Sequence, residues 1–164
     1  MSLKVKKAAV LGAGVMGAQI AAHLANADVP VVLFDLSTKD GDPSAISKQA
    51  IESLKKTMPP PAATRDRVGY IEPANYDQHL DKLGDCGLVI EAIAERMDWK
   101  LDLYKRIAPN VKADVALASN TSGLSIEEMG AALPEVLRPR FCGVHFFNPP
   151  RYMSLVELIP VAAT

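Results

Sequence analysis

Short apolar runs alternate along the chain with longer segments of helical periodicity. Residues 8–11 and 31–34 are continuous apolar runs of strand length, and the segment between them places Met16, Ile20 and Leu24 at four-residue spacing. An unbroken apolar run is typical of a strand that is buried on both faces, whereas an apolar stripe at this spacing is typical of a helix. The alternation therefore predicts a parallel sheet with helices on both of its faces.

The same alternation continues to the end of the chain. Prolines 59–61 end one helical segment, and Ser125 followed by Glu128 has the spacing of a capping box at the start of another. The predicted class is α/β, a Rossmann-type doubly wound and mostly parallel sheet. The predicted helices cover 15–27, 43–57, 98–108 and a short stretch from 125, and the later strands cover 70–72, 88–90, 115–118, 141–147 and 153–161.

Composition narrows the class of protein without defining it. With 164 residues, half of them apolar, the chain is long enough for one domain with a substantial core. A net charge of -1 argues against a nucleic-acid or membrane-surface protein, and no apolar run reaches the length of a membrane span. Two cysteines and three histidines lack the spacing of metal ligands, so we expect no metal. The scarcity of cysteine fits a cytoplasmic protein.

A glycine-rich loop links the first predicted strand to the first helix. Gly12, Gly14 and Gly17 have the spacing of a dinucleotide-binding turn, and the loop enters the helix through Val15 and Met16. The first glycine permits a tight turn, the second lets the backbone approach a pyrophosphate, and the third permits close packing of helix on strand. The helix N-terminus favours the negative charge of the phosphates. This spacing is informative because a buried strand precedes it and a helix follows.

An acidic residue ends the second predicted strand. Asp35 lies eighteen residues beyond Gly17, where a carboxylate can accept hydrogen bonds from both hydroxyls of an adenosine ribose. The same carboxylate would repel the additional phosphate of NADP. The loop and Asp35 together predict that the cofactor is NAD.

A histidine and a glutamate lie in the last two predicted strands. Taken alone, His145 at a strand end is more often structural, and Glu157 on an edge strand would simply lie in water. Glu157, however, is flanked by apolar residues on both faces of its strand, and a carboxylate buried there requires a partner. An imidazole nearby supplies one, and the carboxylate fixes its tautomer. The pair is a candidate general base with its orienting partner.

Polar residues follow several of the buried strands at the end where doubly wound sheets bind their ligands. The Asn148-Pro149-Pro150 sequence forms a rigid turn that can hold the asparagine close to the histidine. A run of turn-forming residues, 119–122, is expected to bring Ser122 to the substrate or the nicotinamide. Glu95 and Lys100 are placed to face the same cleft, although isolated charges at such positions are usually solvated.

With these residues placed, the chain resembles the NAD-binding domain of the L-3-hydroxyacyl-CoA dehydrogenases of fatty-acid β-oxidation. The resemblance extends over nearly the whole chain and keeps the family's order. Segments 118–122 and 145–150 together are highly specific for the family. The continuation through Pro149-Pro150-Arg151-Tyr152-Met153 resembles the larger members, which can carry a fused enoyl-CoA hydratase-like region. The similar segments are 10–17, 89–95, 118–122 and 145–150.

The resemblance implies a reversible oxidation of an L-3-hydroxyacyl-CoA to the 3-ketoacyl-CoA with NAD. In the family's pattern His145 is the general base that takes the hydroxyl proton, and Glu157 is the carboxylate paired with it. The remaining positions implied by the resemblance are Ser122 and Asn148 near the substrate oxygen, and Glu95 and Lys100 beside the cofactor.

The family continues into a helical domain that closes the cleft, contributes to substrate binding and supports dimerisation. The resemblance therefore implies that residues 1–164 are the cofactor domain of a longer enzyme, which is dimeric or part of a β-oxidation complex. The segment that touches coenzyme A in the family aligns loosely. Ser53 is a tolerable match, and Lys55 or Lys56 could replace the lysine expected soon afterwards.

Two other classes of protein remain possible at this point. β-Hydroxyacid dehydrogenases of the 6-phosphogluconate type share the Val15-Met16-Gly17 sequence, but they use a lysine base from a later helix. A non-catalytic NAD-binding module would keep the glycine loop and Asp35. Neither class explains the joint presence of His145, Glu157 and Ser122.

Overall fold

A seven-stranded sheet organises the chain in the computed structural model, which describes residues 5–164. Its order is β3-β2-β1-β4-β5-β6-β7. Neighbouring strands from β1 to β6 pair in parallel, and β7 pairs antiparallel with β6. The predicted Rossmann-type sheet is confirmed. The strands are β1 (Ala8–Leu11), β2 (Val31–Asp35), β3 (Ile71–Asn75), β4 (Leu88–Glu91), β5 (Ala116–Ser119), β6 (Phe141–Phe146) and β7 (Val156–Pro160).

Helices cover both faces of the sheet. Residues of α1 and α2 pack with Val10 and Leu33 in one apolar core, and residues of α3 and α4 pack with Leu11 and Phe34 in the other. Because successive residues of a strand point to opposite faces, each strand contributes to both cores. The bounds of the helices are α1 (Val15–Asn26), α2 (Ala45–Leu54), α3 (Met97–Ile107) and α4 (Ile126–Ala132), and short 3-10 segments cover 65–70, 80–85, 108–110 and 138–140.

The predicted helices and strands are present, and some of their bounds differ from the prediction. Helix α2 ends at Leu54 rather than near 57, because the carbonyl of Ser53 accepts from the N–H groups of both Lys56 and Thr57 and closes the helix. Strand β7 begins at Val156, three residues later than predicted. The Oγ of Ser125 accepts from the Glu128 N–H at 3.2 Å, as the capping pattern predicted.

Helix α3 differs from the prediction in one inward position. Tyr104 and Ile107 are buried as expected, but Leu101 is only half-buried. Lys100 and Leu103 point inward instead. The apolar periodicity did not indicate Lys100, because its burial depends on an ion pair rather than on apolar packing.

Two glycines of the loop between β1 and α1 are required by close backbone contacts. Gly12 has φ +107°, and a Cβ there would lie 2.8 Å from the carbonyl oxygen of Ala92. A Cβ on Gly17 would lie 1.8 Å from the carbonyl oxygen of Gly12. The loop can therefore pack against the start of α1 and the end of β4 only without these side chains.

Replacing Gly17 by alanine is expected to lower the free energy of unfolding by about 3 kcal/mol or more, because backbone must move to admit the methyl group. The measurement is urea denaturation of the 164-residue chain. Gly69→Ala is the matched control, since a Cβ there meets no atom within 4 Å. Equal midpoints for the two variants would contradict the close contact.

Candidate active site

The loops that follow five parallel strands meet along one edge of the sheet. Leu11 is in register with Phe34 and Glu91, Glu91 with Ser119, and Ser119 with Gly143. The carboxyl ends of β1, β2, β4 and β5 therefore lie at a similar level, and β6 continues three residues further, to Phe146. The strand order reverses between β1 and β4, and doubly wound sheets bind their ligands at such a reversal.

The N-terminus of α1 at this edge is open to a ligand. Gly14 is the N-cap residue and offers no side chain to the first N–H groups of the helix. A Cβ on Gly14 would meet no atom within 4 Å, and Val15 beside it is 69% exposed, while Met16 is half-buried. Unsatisfied N–H groups at a helix N-terminus attract phosphate oxygens. The residues present therefore fit the pyrophosphate of a dinucleotide.

Asp35 lies at the end of β2 beside the same loop. Its Oδ2 accepts from the Ala13 N–H at 2.6 Å, and its Oδ1 accepts from the Leu36 N–H at 2.7 Å. An ionised carboxylate has further lone pairs on both oxygens. The side chain is thus fixed against the glycine loop and can still accept hydrogen bonds from a ribose.

His145 and Glu157 are brought together by strand pairing. The two residues lie directly opposite each other in the antiparallel pair β6–β7, and His145 Nδ1 lies 2.8 Å from Glu157 Oε2. An ionised carboxylate can only accept, so the contact favours the tautomer in which Nδ1–H donates to Glu157 and Nε2 carries the lone pair. The geometry is that of a base held in one tautomer by its partner.

The burial expected for Glu157 is wrong. Its side chain is 48% exposed, against 19% for His145, and every residue of β7 is exposed. Among residues 5–164, β7 is the edge strand of the sheet, so its apolar residues, among them Leu158 at 72% exposure, have no neighbouring strand on their outer side. The pairing was inferred from burial, whereas in the structure it results from register.

Asn148 lies in the turn after β6, three residues beyond the histidine in sequence. The Oδ1 of Asn120 accepts from the Phe146 N–H at 2.9 Å, and the Pro149 carbonyl accepts from the Tyr152 N–H at 2.9 Å. The Asn148 side chain accepts a hydrogen bond from Gln19 at 3.2 Å. Gln19 was not among the predicted site residues, although a polar residue on the buried side of α1 is the signal that could have indicated it.

The turn that carries Ser122 is held by Glu95. One carboxylate oxygen, Oε1, accepts from the N–H groups of Ser122 and Gly123, each at 2.9 Å, and from the Thr121 hydroxyl. Partial burial raises the pKa of Glu95, but the hydrogen bonds from Thr121, Gly123 and Ser122, together with Lys100, outweigh it and place the pKa below its ordinary value. Glu95 is therefore ionised and fixes the turn by hydrogen bonds. Ser122 is exposed at the tip of the turn.

A fully buried carboxylate lies beneath this turn. Glu91 has no exposed surface, and its Oε1 accepts from Lys100 Nζ at 2.6 Å and from the Ile93 N–H at 2.7 Å. Its Oε2 accepts from Ser119 Oγ at 2.6 Å and from the Tyr104 hydroxyl at 3.1 Å. A buried charge persists only when it is paired and hydrogen-bonded. This network was not predicted, since Glu91 simply ends an apolar strand in the sequence.

The expectation that Lys100 faces the cleft differs from its position in the structure. The side chain is 1% exposed, and its ammonium lies between Glu91 and Glu95, 3.7 Å from Glu95 Oε2. The ion pair draws the ammonium into the interior. Lys100 can therefore influence the cleft through Glu95, the residue that holds the Ser122 turn.

The residues expected near coenzyme A lie on α2 and the turn after it. The Ser53 hydroxyl donates to the Gln49 carbonyl at 2.8 Å within its own helix, and Lys55 pairs with Glu52 at 2.5 Å. Lys56 is exposed. Within residues 5–164, the Ser53 side chain makes no hydrogen bond to another predicted site residue.

Two other features bear on the class of protein. Within the described part of the chain, no helix is long and apolar enough to cross a membrane. Over the same residues, no group of three or more histidine, cysteine, aspartate or glutamate side chains is arranged to hold a metal ion.

The open helix terminus, the acidic residue at the end of β2 and the sheet topology define a dinucleotide-binding domain of the dehydrogenase type. Residues 7–164 match the family described as the NAD-binding domain of 3-hydroxyacyl-CoA dehydrogenase. The chain belongs to this family, and its cofactor is NAD, as predicted. The family assignment favours neither the 6-phosphogluconate type of enzyme nor a module without catalytic residues.

Curated relatives are similar over nearly the whole chain. A putative fatty acid oxidation complex trifunctional enzyme of Rickettsia felis is 46% identical over 97% of this chain and 22% of its own length. A probable 3-hydroxyacyl-CoA dehydrogenase of Deinococcus radiodurans is 44% identical over 99% of this chain and 47% of its own length. The chain thus spans between about a fifth and a half of these relatives.

A solved structure shares the fold. The 3-hydroxybutyryl-CoA dehydrogenase of Escherichia coli superposes with a TM-score of 0.80 at 31% identity, over 99% of this chain and 34% of the other. A lactate dehydrogenase of Eimeria maxima, at 16% identity and a TM-score of 0.54, shows only that the fold is shared.

Replacing Lys100 by methionine is expected to lower the free energy of unfolding by about 3–5 kcal/mol, because it leaves the buried carboxylate of Glu91 without a counter-charge. Urea denaturation measures the loss. Adding Glu91→Gln removes the second charge and should restore much of it, while Lys105→Met, at a side chain 72% exposed, should change little. A double variant no more stable than Lys100→Met would contradict the ion-pair explanation.

Replacing Asp35 by alanine is expected to weaken NAD binding about tenfold or more, which is the cost of a lost hydrogen bond to a charged group. NADP binding should change less, because the same substitution removes a repulsive charge. Calorimetry with both nucleotides measures the difference. Asp40→Ala, at an exposed position nearby in sequence, is the control. Equal losses for NAD and NADP would defeat the ribose contact.

Proposed function

We propose that the protein containing this chain is an NAD-dependent L-3-hydroxyacyl-CoA dehydrogenase of fatty-acid β-oxidation, with residues 1–164 as its cofactor-binding domain; residues 1–4 lie outside the described structure. The observation that carries the proposal is the His145–Glu157 pair, which lies towards the carboxyl ends of the parallel strands, where the glycine loop also lies. Family membership supports it independently.

The cofactor is assigned to the loop and helix at the carboxyl end of β1. Gly12, Gly14 and Gly17, with Val15 and Met16, form the pyrophosphate site. Asp35 accepts hydrogen bonds from the adenosine ribose in this assignment, and Glu95 faces the nicotinamide side. NAD supplies the hydride acceptor when it is bound. The role of Lys100 is indirect, through Glu95.

His145 acts as the general base. Glu157 holds the proton on Nδ1, so Nε2 takes the proton of the substrate hydroxyl, and the resulting imidazolium is stabilised by the carboxylate. A positioned base of this kind contributes roughly a hundred- to ten-thousand-fold to rate. In the reverse direction the imidazolium returns its proton to the oxygen of a 3-ketoacyl-CoA.

Ser122 and Asn148 are assigned to the substrate oxygen. Both are exposed at the carboxyl edge of the sheet, on turns that are fixed by hydrogen bonds to Glu95 and Asn120. Donors that are fixed before the reaction stabilise charge on an oxygen without reorganising. Coenzyme A is assigned to the exposed end of α2, where Ser53 and the lysines that follow it lie.

The whole protein is proposed to be longer than this chain. The relatives include a putative fatty acid oxidation complex trifunctional enzyme, and this chain covers 22% of it. A C-terminal helical domain would close the cleft and complete the substrate site. The enzyme would be dimeric or a component of a β-oxidation complex in the cytoplasm, acting on an acyl-CoA, with neither nucleic acid nor a membrane as a partner.

Replacing His145 by alanine is expected to lower production of NADH from L-3-hydroxybutyryl-CoA by at least about a hundredfold, because the proton acceptor is lost. Calorimetry should give an unchanged affinity for NAD. Glu157→Gln, which keeps the shape but removes the charge, should lower kcat by a smaller factor. The measurement uses the full-length protein.

His79→Gln is the histidine control, since His79 lies beyond β3 and contacts Asn75. It should retain both turnover and NAD binding. Turnover that survives in His145→Ala would overturn the assignment of the base, and a folded wild-type protein that binds NAD but oxidises no 3-hydroxyacyl-CoA would overturn the proposed reaction.

A further inference from the structure

One polar side chain connects the cofactor helix to the turn after β6. Gln19 lies on α1 and is 8% exposed, among buried neighbours such as Ala18, Ile20 and Ala22. A buried amide requires a hydrogen-bond partner. Its Nε2 donates to Asn148 Oδ1 at 3.2 Å. The helix that receives the pyrophosphate thus contacts the turn that follows the histidine.

The backbone of that turn is fixed without Gln19. Asn120 accepts from the Phe146 N–H, and the Pro149 carbonyl accepts from the N–H groups of Tyr152 and Met153. What Gln19 determines is therefore the orientation of the Asn148 amide. A carboxamide has an acceptor on one end and two donor hydrogens on the other.

The donor end of the Asn148 amide is free. Because Oδ1 is directed towards Gln19, Nδ2 points away from α1, and it donates to no group within residues 5–164. Asn148 is exposed, three residues after His145. Nδ2 is thus available to an oxygen that lies beside the imidazole.

We infer that Gln19 is a positioning residue for the dehydrogenase reaction, which fixes the polarity of the Asn148 amide so that Nδ2 donates to the reacting oxygen. The inference rests on the proposed function. The substrate oxygen carries partial negative charge as its proton moves to His145, and a donor stabilises that charge, whereas the carbonyl end of the amide would repel it.

A second contact between α1 and the end of β6 lies one helical turn from Gln19. The ring of His23 packs edge-on against the ring of Phe146, with centroids 6.1 Å apart and planes at 71°. Two contacts of α1, with residues 146 and 148, fix the helix relative to the end of β6. The orientation of Asn148 is therefore coupled to the helix whose N-terminus receives the cofactor.

Two substitutions separate donor chemistry from shape. Gln19→Glu keeps the shape but presents only acceptors, so the Asn148 amide is expected to rotate and direct Oδ1 at the substrate. Gln19→Met removes the bond and leaves the amide free. In the full-length protein, kcat for reduction of acetoacetyl-CoA by NADH should fall about a hundredfold in Gln19→Glu and less than about tenfold in Gln19→Met. NADH affinity should stay within twofold in both.

The pH profile and a double-variant cycle provide readouts that general destabilisation would not change. Burial at this position raises the pKa of a glutamate, and a protonated carboxyl group donates again. The deficit of Gln19→Glu should therefore shrink between about pH 8 and pH 5, while that of Gln19→Met stays constant. In an Asn148→Ala background Gln19→Glu should have no further effect. Equal deficits for the two variants at every pH, or a deficit that persists without Asn148, would overturn the inference.

Side-chain amide NMR tests the contact without turnover. In the 164-residue chain, Asn148→Ala should shift the Nε2 resonances of Gln19, and unshifted resonances would overturn the inference. A wild-type protein that reduces no 3-ketoacyl-CoA would overturn the proposed function itself. An active wild type whose Gln19 variants are equally active would overturn only the role of Gln19.

Discussion

The buried ion pair of Glu91 and Lys100 is the constraint on which the ligand edge of the sheet depends. A carboxylate without exposed surface at the end of β4 is costly to desolvate, and four donors from the turn after β4, from α3 and from β5 offset that cost. Those donors fix the start of α3 and the end of β5 relative to β4. Because the donor geometry must be met in full, the three elements have little freedom to shift at the point where the loops of the candidate active site begin.

Two other carboxylates of the site also fix a neighbouring loop, each with fewer hydrogen bonds than Glu91 accepts. Glu95 holds the turn from Thr121 to Gly123 by two backbone N–H groups and a hydroxyl, and Asp35 holds the glycine loop by the Ala13 N–H. Each carboxylate lies at the end of a strand or just beyond one and fixes a neighbouring loop. Loops fixed in this way need no ordering when a ligand arrives, so less of the binding free energy is lost to conformational entropy.

Much of the fold could be predicted because its signals are local. The apolar runs of β1 and β2, the spacing of the glycines and the position of Asp35 each depend on neighbours in sequence. The pairing of His145 with Glu157 was also predicted, but from an expected burial that an edge strand does not provide. Lys100 and Gln19 could not be placed from the sequence, since their orientations depend on Glu91 and Asn148, groups that only the folded chain brings close.

Strand β7 places one half of the proposed catalytic pair in water. With Glu157 half exposed, its hydrogen bond to the imidazole contributes no more than a surface ion pair does, about 0.2–1 kcal/mol. The carboxylate therefore adds little to the stability of the domain, and its effect is to orient the ring of His145. Substitutions of Glu157 should therefore change a melting curve little, so a screen for folded variants would pass proteins in which the proposed base is no longer oriented.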